Sequence, residues 1–410
     1  ATEWRIMAGR GDSGTTTQRE LSQATLMDKV PVNRACKTLE SRGLAVRTPN
    51  ESDGRSHLLE LTAEGRAVHA GIMPLAIKIE EELFSFLPLQ EPEKFMYGPM
   101  RDYPERGGKR SRPALVLLSC ATLGGDVYKA VRTAAAFEMF QSFALLHDDI
   151  EDDSEMRRGK PCSHRVHGVP LSINVGDALY AKVYEVLAAN RHILDCELTL
   201  ALIEEMTAGS RETFEGQAYD VGWIRERVVP SEEEFMTMLR KKTGWYTGRG
   251  PCKAGAMIAG ASEPQQQAIG DFGEAMAIAF QIRDDLLNLM TPEGDAATAP
   301  GVTSGAYGKE RGGDIAEGKR TLIIIDLLRK CDAAQRTEIL DVLNADRAAT
   351  TPQQIERVID LARDYGSIAF AEEESRKRSD EAVRLLEALP DTPHRPLLGE
   401  MLEFFVRRAF

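Results

Sequence analysis

The chain has 410 residues, ordinary apolar and charged fractions of 42% and 28%, and a formal net charge of −13. That acidic balance argues against a protein that coats nucleic acid along its whole length, while leaving room for a local basic surface. The six cysteines are scattered without a CxxC pair, and there is neither a signal-peptide pattern nor an apolar run of about eighteen residues, so we predict a cytoplasmic protein with no membrane span.

The first 70 residues predict a small α+β domain. Two short helical patterns are followed by two strand-like pieces, "LAVRT" and "HLLELT", with the turn formers of "PNESDGRS" between them. The order of helix, turn, helix and hairpin is typical of a winged helix-turn-helix. Between Arg5 and Arg66 there are ten basic and eight acidic residues, so this segment is slightly positive within an acidic protein.

The stretch "MDKVPVNRACKTLESRGLAVRTPNESDGRSHLLELTAEG" resembles the MarR family of transcription regulators. The resemblance implies that Val32, Asn33 and Lys37 lie on the helix offered to the major groove of DNA. It also implies that Arg55, at the wing tip, enters a minor groove. No pattern for the family's first helix, which helps its members to dimerise, precedes Glu3. DNA is therefore a predicted partner of this segment, through a truncated domain.

From residue 71 onward the sequence predicts a large all-α domain. Long amphipathic patterns follow one another, joined by short loops rich in glycine and proline, and neither βαβ alternation nor an internal repeat is present. The first pattern, "PLAIKIEEELFSFLP", is closed by Pro88. We therefore expect two domains, residues 1–70 and 71–410.

Two acidic clusters end apolar helical patterns in this second domain. In "LLHDDIEDDSEMRRGKP", Asp148 and Asp152 are one helical turn apart and share a face. In "FQIRDDLLNLM", Asp284 and Asn288 have the same spacing. Carboxylates at this spacing repel each other, so they add little to the stability of a helix. They are suitable ligands for Mg²⁺, which keeps coordination positions for phosphate oxygens.

Cations lie where a metal-bound polyanion would need them. The segment "RGGKRSRP" places two glycines and then the cations Lys109, Arg110 and Arg112 before Pro113, which suits the first turn of a helix and therefore an anion site. Arg157 and Arg158 follow the first acidic cluster and offer forked donors for phosphate. The glycine-rich "YGKERGGDIAEGKRTL" carries Lys309 and Lys319 on a segment that could close as a lid.

The same stretches resemble the trans-polyprenyl diphosphate synthases, the family of farnesyl and geranylgeranyl diphosphate synthases. The matching phrases include "GGKRSRP", "LLHDDIEDDSEMRRGKP", "EGQAYD", "KKTGWYT" and "FQIRDDLLNL", and they stand in the family's order across some 300 residues. The resemblance implies an all-α isoprenoid synthase bundle and a homodimer. It also implies Mg²⁺-dependent condensation of isopentenyl diphosphate with an allylic diphosphate.

Residue roles follow from the resemblance position by position. Three Mg²⁺ per active site would be bound by Asp148, Asp152 and Asp284. The allylic diphosphate would be held by Arg157, Lys242, Thr243, Gln281, Lys309 and Lys319. Isopentenyl diphosphate would be held by Lys109, Arg112, Gln141 and Arg158. The catalytic set comprises Asp148, Asp152, Arg157, Lys242 and Asp284.

Product length is predicted from the helix that carries Asp148. The growing chain would extend past Ala144, Phe143 and Phe140, which lie four, five and eight residues before Asp148. In this family a small residue at the first position with an aromatic residue at the second usually allows twenty carbons. The resemblance therefore implies geranylgeranyl diphosphate as the product.

Two other functions share some of these features. A class I terpene cyclase has the same fold and the first acidic motif, but it lacks an isopentenyl diphosphate site, so the "GGKRSRP" segment and Arg158 argue against it. A DNA-binding regulator could use the helical domain as a sensor of prenyl diphosphates. Turnover with Mg²⁺, isopentenyl diphosphate and an allylic diphosphate distinguishes these hypotheses.

Overall fold

The computed structural model describes residues 15–25, 29–50, 56–289 and 311–406. It forms two compact units, residues 1–82 with 107–110 and residues 83–106 with 111–410. One helix, Ala63–Ser85, runs through residue 70. The units consequently divide after Glu82 rather than at the boundary expected from the sequence.

The N-terminal unit combines a three-stranded antiparallel sheet with helices. Its strands are β1 (Thr16–Thr17), β2 (Ala45–Pro49) and β3 (His57–Leu61), in the spatial order β1-β3-β2. Its helices are α1 (Gln18–Thr25), α2 (Lys29–Ser41) and α3 (Ala63–Ser85). Leu59 and Leu61 alternate with exposed or half-buried neighbours along β3 and are buried with Leu39 of α2, as expected for a strand with one face on a core. The predicted winged helix-turn-helix is confirmed.

The second unit is built of helices, as predicted. Its first half contains α4 (Gly98–Glu105), α5 (Ser111–Thr122), α6 (Val127–Glu151), α7 (Ser163–His167), α8 (Val169–Ala189) and α9 (Cys196–Arg225). Its second half contains α10 (Glu232–Leu239), α11 (Gly250–Ile258), α12 (Glu263–Leu289), α13 (Gly313–Ala316), α14 (Leu322–Lys330), α15 (Ala333–Leu343), α16 (Pro352–Asp364), α17 (Ser367–Glu387) and α18 (Arg395–Val406). Two short strands, β4 (Met156–Arg157) and β5 (Lys160–Pro161), form a tight hairpin after α6.

Among the described residues, helix α12 contributes to two large apolar cores of this unit. Its residues Ile282 and Leu286 pack in a core shared with α14 and α16, whereas Phe272 and Met276 pack in a core shared with α5 and α18. This double packing fixes the end of α12 that carries Asp284. A π-helical segment, Arg240–Arg249, joins α10 to α11 and carries the predicted Lys242 and Thr243. None of the described helices is both long and apolar enough to cross a membrane.

Candidate active site

The end of α6 brings the first acidic motif against three cations. Asp148 Oδ1 lies 3.6 Å from Lys242 Nζ, and Asp148 Oδ2 lies 3.4 Å from Arg157 Nη2. One turn later, Asp152 Oδ2 lies 2.7 Å from Lys319 Nζ. Five residues that the sequence predicts to share a site therefore do so, although Lys319 is 167 positions from Asp152.

The half-buried Lys242 and Lys319 are held in their charged forms by carboxylates. Burial opposes a charged Lys319, but Asp152 at 2.7 Å and Glu317 at 2.9 Å raise its pKa well above the usual value. Lys242 Nζ lies 2.6 Å from Asp220 Oδ2, and this carboxylate together with Asp148 raises the lysine pKa against the cost of burial. Asp220 belongs to the "EGQAYD" stretch, to which the sequence analysis assigned no role.

Asp152 has an unusual titration for an aspartate. Its pKa is raised to about 7, because burial and the neighbouring Asp148 and Glu317 carboxylates raise it by more than Lys319 and Lys242 lower it. A carboxylate in such a position favours an additional positive charge, because a cation would stabilise its ionised form.

Asp149 is the third acid of the motif and has a different environment. It is fully buried and accepts hydrogen bonds from Tyr103 Oη at 2.6 Å and from Arg157 Nε at 2.7 Å. A second nitrogen of Arg157 also contacts it. Asp149 therefore orients Arg157. Tyr103 is a residue of the site that no sequence pattern indicated.

The second acidic motif is linked to the π-helical segment. Thr243 Oγ1 lies 3.5 Å from Gln281 Oε1, and Gln281 Nε2 donates to Asp285 Oδ1 at 2.9 Å. Burial, together with the charge of Asp314, raises the pKa of Asp285. Asp284 lies on the adjacent position of α12, one residue from this network.

Asn288, the last residue of the second acidic motif, binds the backbone at the start of α13. Its side-chain oxygen accepts a hydrogen bond from the backbone N–H of Asp314 at 3.2 Å, and its carbonyl accepts one from the N–H of Gly312 at 2.8 Å. It thus fixes the start of α13, a task that an amide oxygen performs as well as a carboxylate.

The donor set fits Mg²⁺ bound together with substrate. Carboxylate oxygens are the ligands that Mg²⁺ prefers, and it usually takes only one or two of them and completes its shell with water and phosphate oxygens. Within the described ranges, no three acidic, histidine or cysteine side chains converge on a ready-made metal centre. Asp148 and Asp152 would accordingly be shared ligands rather than parts of a closed cage.

The residues predicted for isopentenyl diphosphate have diverse surroundings. Arg112 donates to Thr247 Oγ1 at 2.6 Å and lies 4.5 Å from the centre of the Tyr246 ring. Gln141 is buried, and its Oε1 has no hydrogen-bond partner among the described residues, so it retains an acceptor for a ligand. Arg158 donates to the carbonyl of Tyr103 at 3.2 Å.

Two predicted cations, Lys109 and Lys309, do not lie in the described part of the helical unit. Lys109 belongs to the loop 107–110, which clusters with the N-terminal unit, where Arg110 Nε lies 2.7 Å from Glu80 Oε1. Lys309 lies outside the described residues.

An aromatic cluster lies one to two turns before Asp148. The Phe143 ring centre is 5.5 Å from that of Phe140, 4.9 Å from that of Tyr180 and 5.9 Å from that of Phe214. Ala144 is half-buried beside it. The two phenylalanines of α6 were predicted from the sequence, whereas the rings of Tyr180 in α8 and Phe214 in α9 were not.

The predicted DNA-facing residues need one correction. Val32 is fully buried in the core of the N-terminal unit, so it contributes to packing and is not placed to contact DNA. Asn33 accepts from Gln18 Nε2 at 2.9 Å and from Arg47 Nη1 at 3.3 Å, which ties α2 to α1 and β2. Lys37 is exposed, and Arg55 lies outside the described residues.

Comparisons with known proteins point to the same two units. Residues 93–362 match the polyprenyl synthetase family and residues 1–56 match the MarR family. The chain is 33% identical to the geranylgeranyl pyrophosphate synthase of Geoglobus acetivorans over 330 residues, which cover 80% of this chain and 96% of that protein.

Two solved structures are similar to the chain in fold and sequence. The geranylgeranyl pyrophosphate synthetase of Pyrococcus horikoshii has a TM-score of 0.73 and 33% identity, and the match covers 84% of this chain and 99% of that one. The geranylgeranyl pyrophosphate synthase of Corynebacterium glutamicum, which is complexed with isoprenyl diphosphate and magnesium, has a TM-score of 0.70 and 26% identity, covering 80% and 97%.

Proposed function

Because this chain belongs to the polyprenyl synthetase family and is a prenyltransferase, we propose that it joins isopentenyl diphosphate head-to-tail to an allylic diphosphate in a Mg²⁺-dependent reaction. The observation that carries this proposal is the ring of Arg157, Lys242 and Lys319 around the carboxylates of Asp148 and Asp152. Such a ring suits a polyanion that arrives with a metal, since the carboxylates would bind the metal and the cations would bind the anion.

Mg²⁺ would be held by Asp148, Asp152 and Asp284, with three ions per active site. When bound, it would supply positive charge that neutralises diphosphate oxygens. The protein residues have a separate task in the same step. As the allylic C–O bond breaks, negative charge grows on the leaving diphosphate, and Arg157, Lys242 and Lys319 are positioned to stabilise it.

The remaining steps need an apolar environment and a proton acceptor. The double bond of isopentenyl diphosphate attacks the allylic cation, and loss of a proton to the departed diphosphate completes the product. The aromatic rings around Phe143 exclude water from the path of the growing hydrocarbon, which protects the cation.

The direct test is turnover by the purified protein. With MgCl₂, isopentenyl diphosphate and farnesyl diphosphate, we expect an elongated prenyl diphosphate and no product after chelation of the metal. A hydrocarbon formed from the allylic diphosphate alone would favour a terpene cyclase. Binding of both diphosphates without turnover would favour a sensor domain.

The product is proposed to be geranylgeranyl diphosphate, and substitutions of α6 test this. Ala144→Phe should shorten the product toward fifteen carbons, because a second ring beside Phe143 would fill the space that the growing chain needs. Phe143→Ala should lengthen it, because it removes the ring that contacts Tyr180. Reversed-phase chromatography of the dephosphorylated products measures both changes.

The matched control for this series is Phe95→Ala, which removes an exposed ring far along the chain from α6. It should leave the product unchanged. Identical products from Ala144→Phe, Phe143→Ala and the wild type would place the end of the tunnel elsewhere.

A second function is proposed for the N-terminal unit, because residues 1–56 match the MarR family. We expect weak binding to DNA from upstream of the protein's own gene at low salt. Lys37→Glu should weaken that binding, since Lys37 is exposed on α2. Each lost phosphate contact should make the negative slope of log K against log salt shallower by about one. A gel-shift titration at several salt concentrations measures it.

Lys129→Glu, an exposed substitution on α6 of the enzyme unit, serves as the control with the same change of charge. Equal weakening by both variants would mean a general effect of charge, which would contradict a DNA site on α2.

We further propose that the enzyme is a cytoplasmic homodimer. Sedimentation analysis of the purified protein tests the oligomeric state.

A further inference from the structure

Helix α4 ends in two buried residues that the proposed reaction does not use. Tyr103 is 1% exposed, and the side chain of Arg106, the residue that caps the helix, is 2% exposed. The guanidinium of Arg106 lies 4.6 Å from the centre of the Tyr103 ring. Both side chains are directed at the segment that contains Arg157 and Arg158, and neither belongs to the predicted substrate contacts.

Tyr103 acts on Arg157 through Asp149. Its hydroxyl donates to Asp149 Oδ2 at 2.6 Å, and the other oxygen of that carboxylate accepts from Arg157 Nε at 2.7 Å. Because Asp149 is fully buried, water does not compete for these hydrogen bonds. The hydroxyl therefore fixes the rotamer of a carboxylate that in turn fixes one edge of the guanidinium.

Arg106 acts on the backbone of the hairpin that presents both arginines. It donates to the carbonyl of Arg157 at 3.0 Å and to the carbonyl of Pro161 at 2.8 Å. This hairpin contains two consecutive residues with positive φ, Arg158 at 54° and Gly159 at 76°. A non-glycine residue in that conformation persists only where its surroundings hold it.

We propose that Tyr103 and Arg106 are positioning residues for the pair of arginines that clamps the two diphosphates. The Tyr103 hydroxyl serves Arg157 and hence the allylic substrate, whereas Arg106 serves the whole hairpin and hence both substrates. This inference rests on the proposed function. It predicts that Tyr103 affects binding of one substrate and Arg106 affects binding of both, a difference that a purely structural role would not produce.

The experiment compares Michaelis constants for the two substrates in Tyr103→Phe, which keeps the ring and the carbonyl that Arg158 contacts. The KM for farnesyl diphosphate should rise about tenfold, comparable to the loss when a partner that orients a metal ligand is removed. The KM for isopentenyl diphosphate should stay at the wild-type value. Arg106→Lys should raise both constants, because an ammonium cannot reproduce the forked donation to two carbonyls.

Tyr365→Phe is the matched control, since its hydroxyl donates to Gln335 Oε1 at 2.5 Å in another part of the unit. It should change neither constant. In an Arg157→Ala background, Tyr103→Phe should have no further effect on the KM for farnesyl diphosphate, because a residue that acts through Arg157 is not additive with it.

Three results would overturn the proposal: unchanged constants in Tyr103→Phe, equal increases for both substrates, or full additivity with Arg157→Ala. An inactive wild type would instead count against the proposed function. In that event, calorimetric titration with farnesyl diphosphate and Mg²⁺ still decides the inference, since Tyr103→Phe either weakens binding relative to the wild type or leaves it unchanged.

Discussion

Replacing Asp148 with asparagine should lower the rate of prenyl transfer by about 10²–10³-fold, or about 3–4 kcal/mol of transition-state stabilisation. The carboxylate lies between Lys242 at 3.6 Å and Arg157 at 3.4 Å, so the substitution removes a charged metal ligand, while Lys242 keeps Asp220 and Arg157 keeps Asp149 as a partner. Asparagine has nearly the same shape, which limits the change to charge. Single-turnover kinetics with both substrates at saturation measure the effect on the chemical step.

Asp153→Asn provides a control with the same chemical change five positions later. The Asp153 side chain is 69% exposed and pairs with Arg165 at 2.6 Å. This variant should retain the wild-type rate. Comparable rates in Asp148→Asn and the wild type would contradict the assignment of Asp148 as a metal ligand.

Replacing Lys319 with methionine should destabilise the helical unit and slow the reaction. The ammonium lies 2.7 Å from Asp152, 2.9 Å from Glu317 and 3.8 Å from Asp314, so its removal leaves buried carboxylates facing one another. Breaking a buried pair in this way costs about 3–5 kcal/mol of unfolding free energy. Urea titration followed by circular dichroism measures the loss, which should shrink when MgCl₂ is added, because a bound cation would restore the missing positive charge.

Lys377→Met is the appropriate comparison, since Lys377 pairs with Glu374 at 2.5 Å but is 57% exposed. An exposed pair of this kind contributes little to stability, because solvent screens it. Similar losses in the two variants would mean that the charges around Lys319 are better screened than their burial indicates. If the loss of unfolding free energy in Lys319→Met does not change with MgCl₂, that result would argue against a metal site at Asp152.

The short-range features of this protein were decided by the sequence alone. The 3.6-residue period of an α-helix places Asp148 and Asp152 on one face, whatever the rest of the fold does. The alternation of "HLLELT" likewise buries Leu59 and Leu61 on one side of a strand. Period and turn chemistry therefore predicted the helical bundle, the winged helix-turn-helix and the two acidic motifs.

The partners of individual side chains were decided only by the tertiary structure. Tyr103 meets Asp149 across 46 positions, and Lys319 meets Asp152 across 167. The packing of helices and strands decides which of the three neighbouring aspartates is buried. It also decides that Val32, from a pattern predicted to face DNA, belongs to the core. A helical period fixes the spacing of residues along one element, but it carries no information about which distant element covers each face.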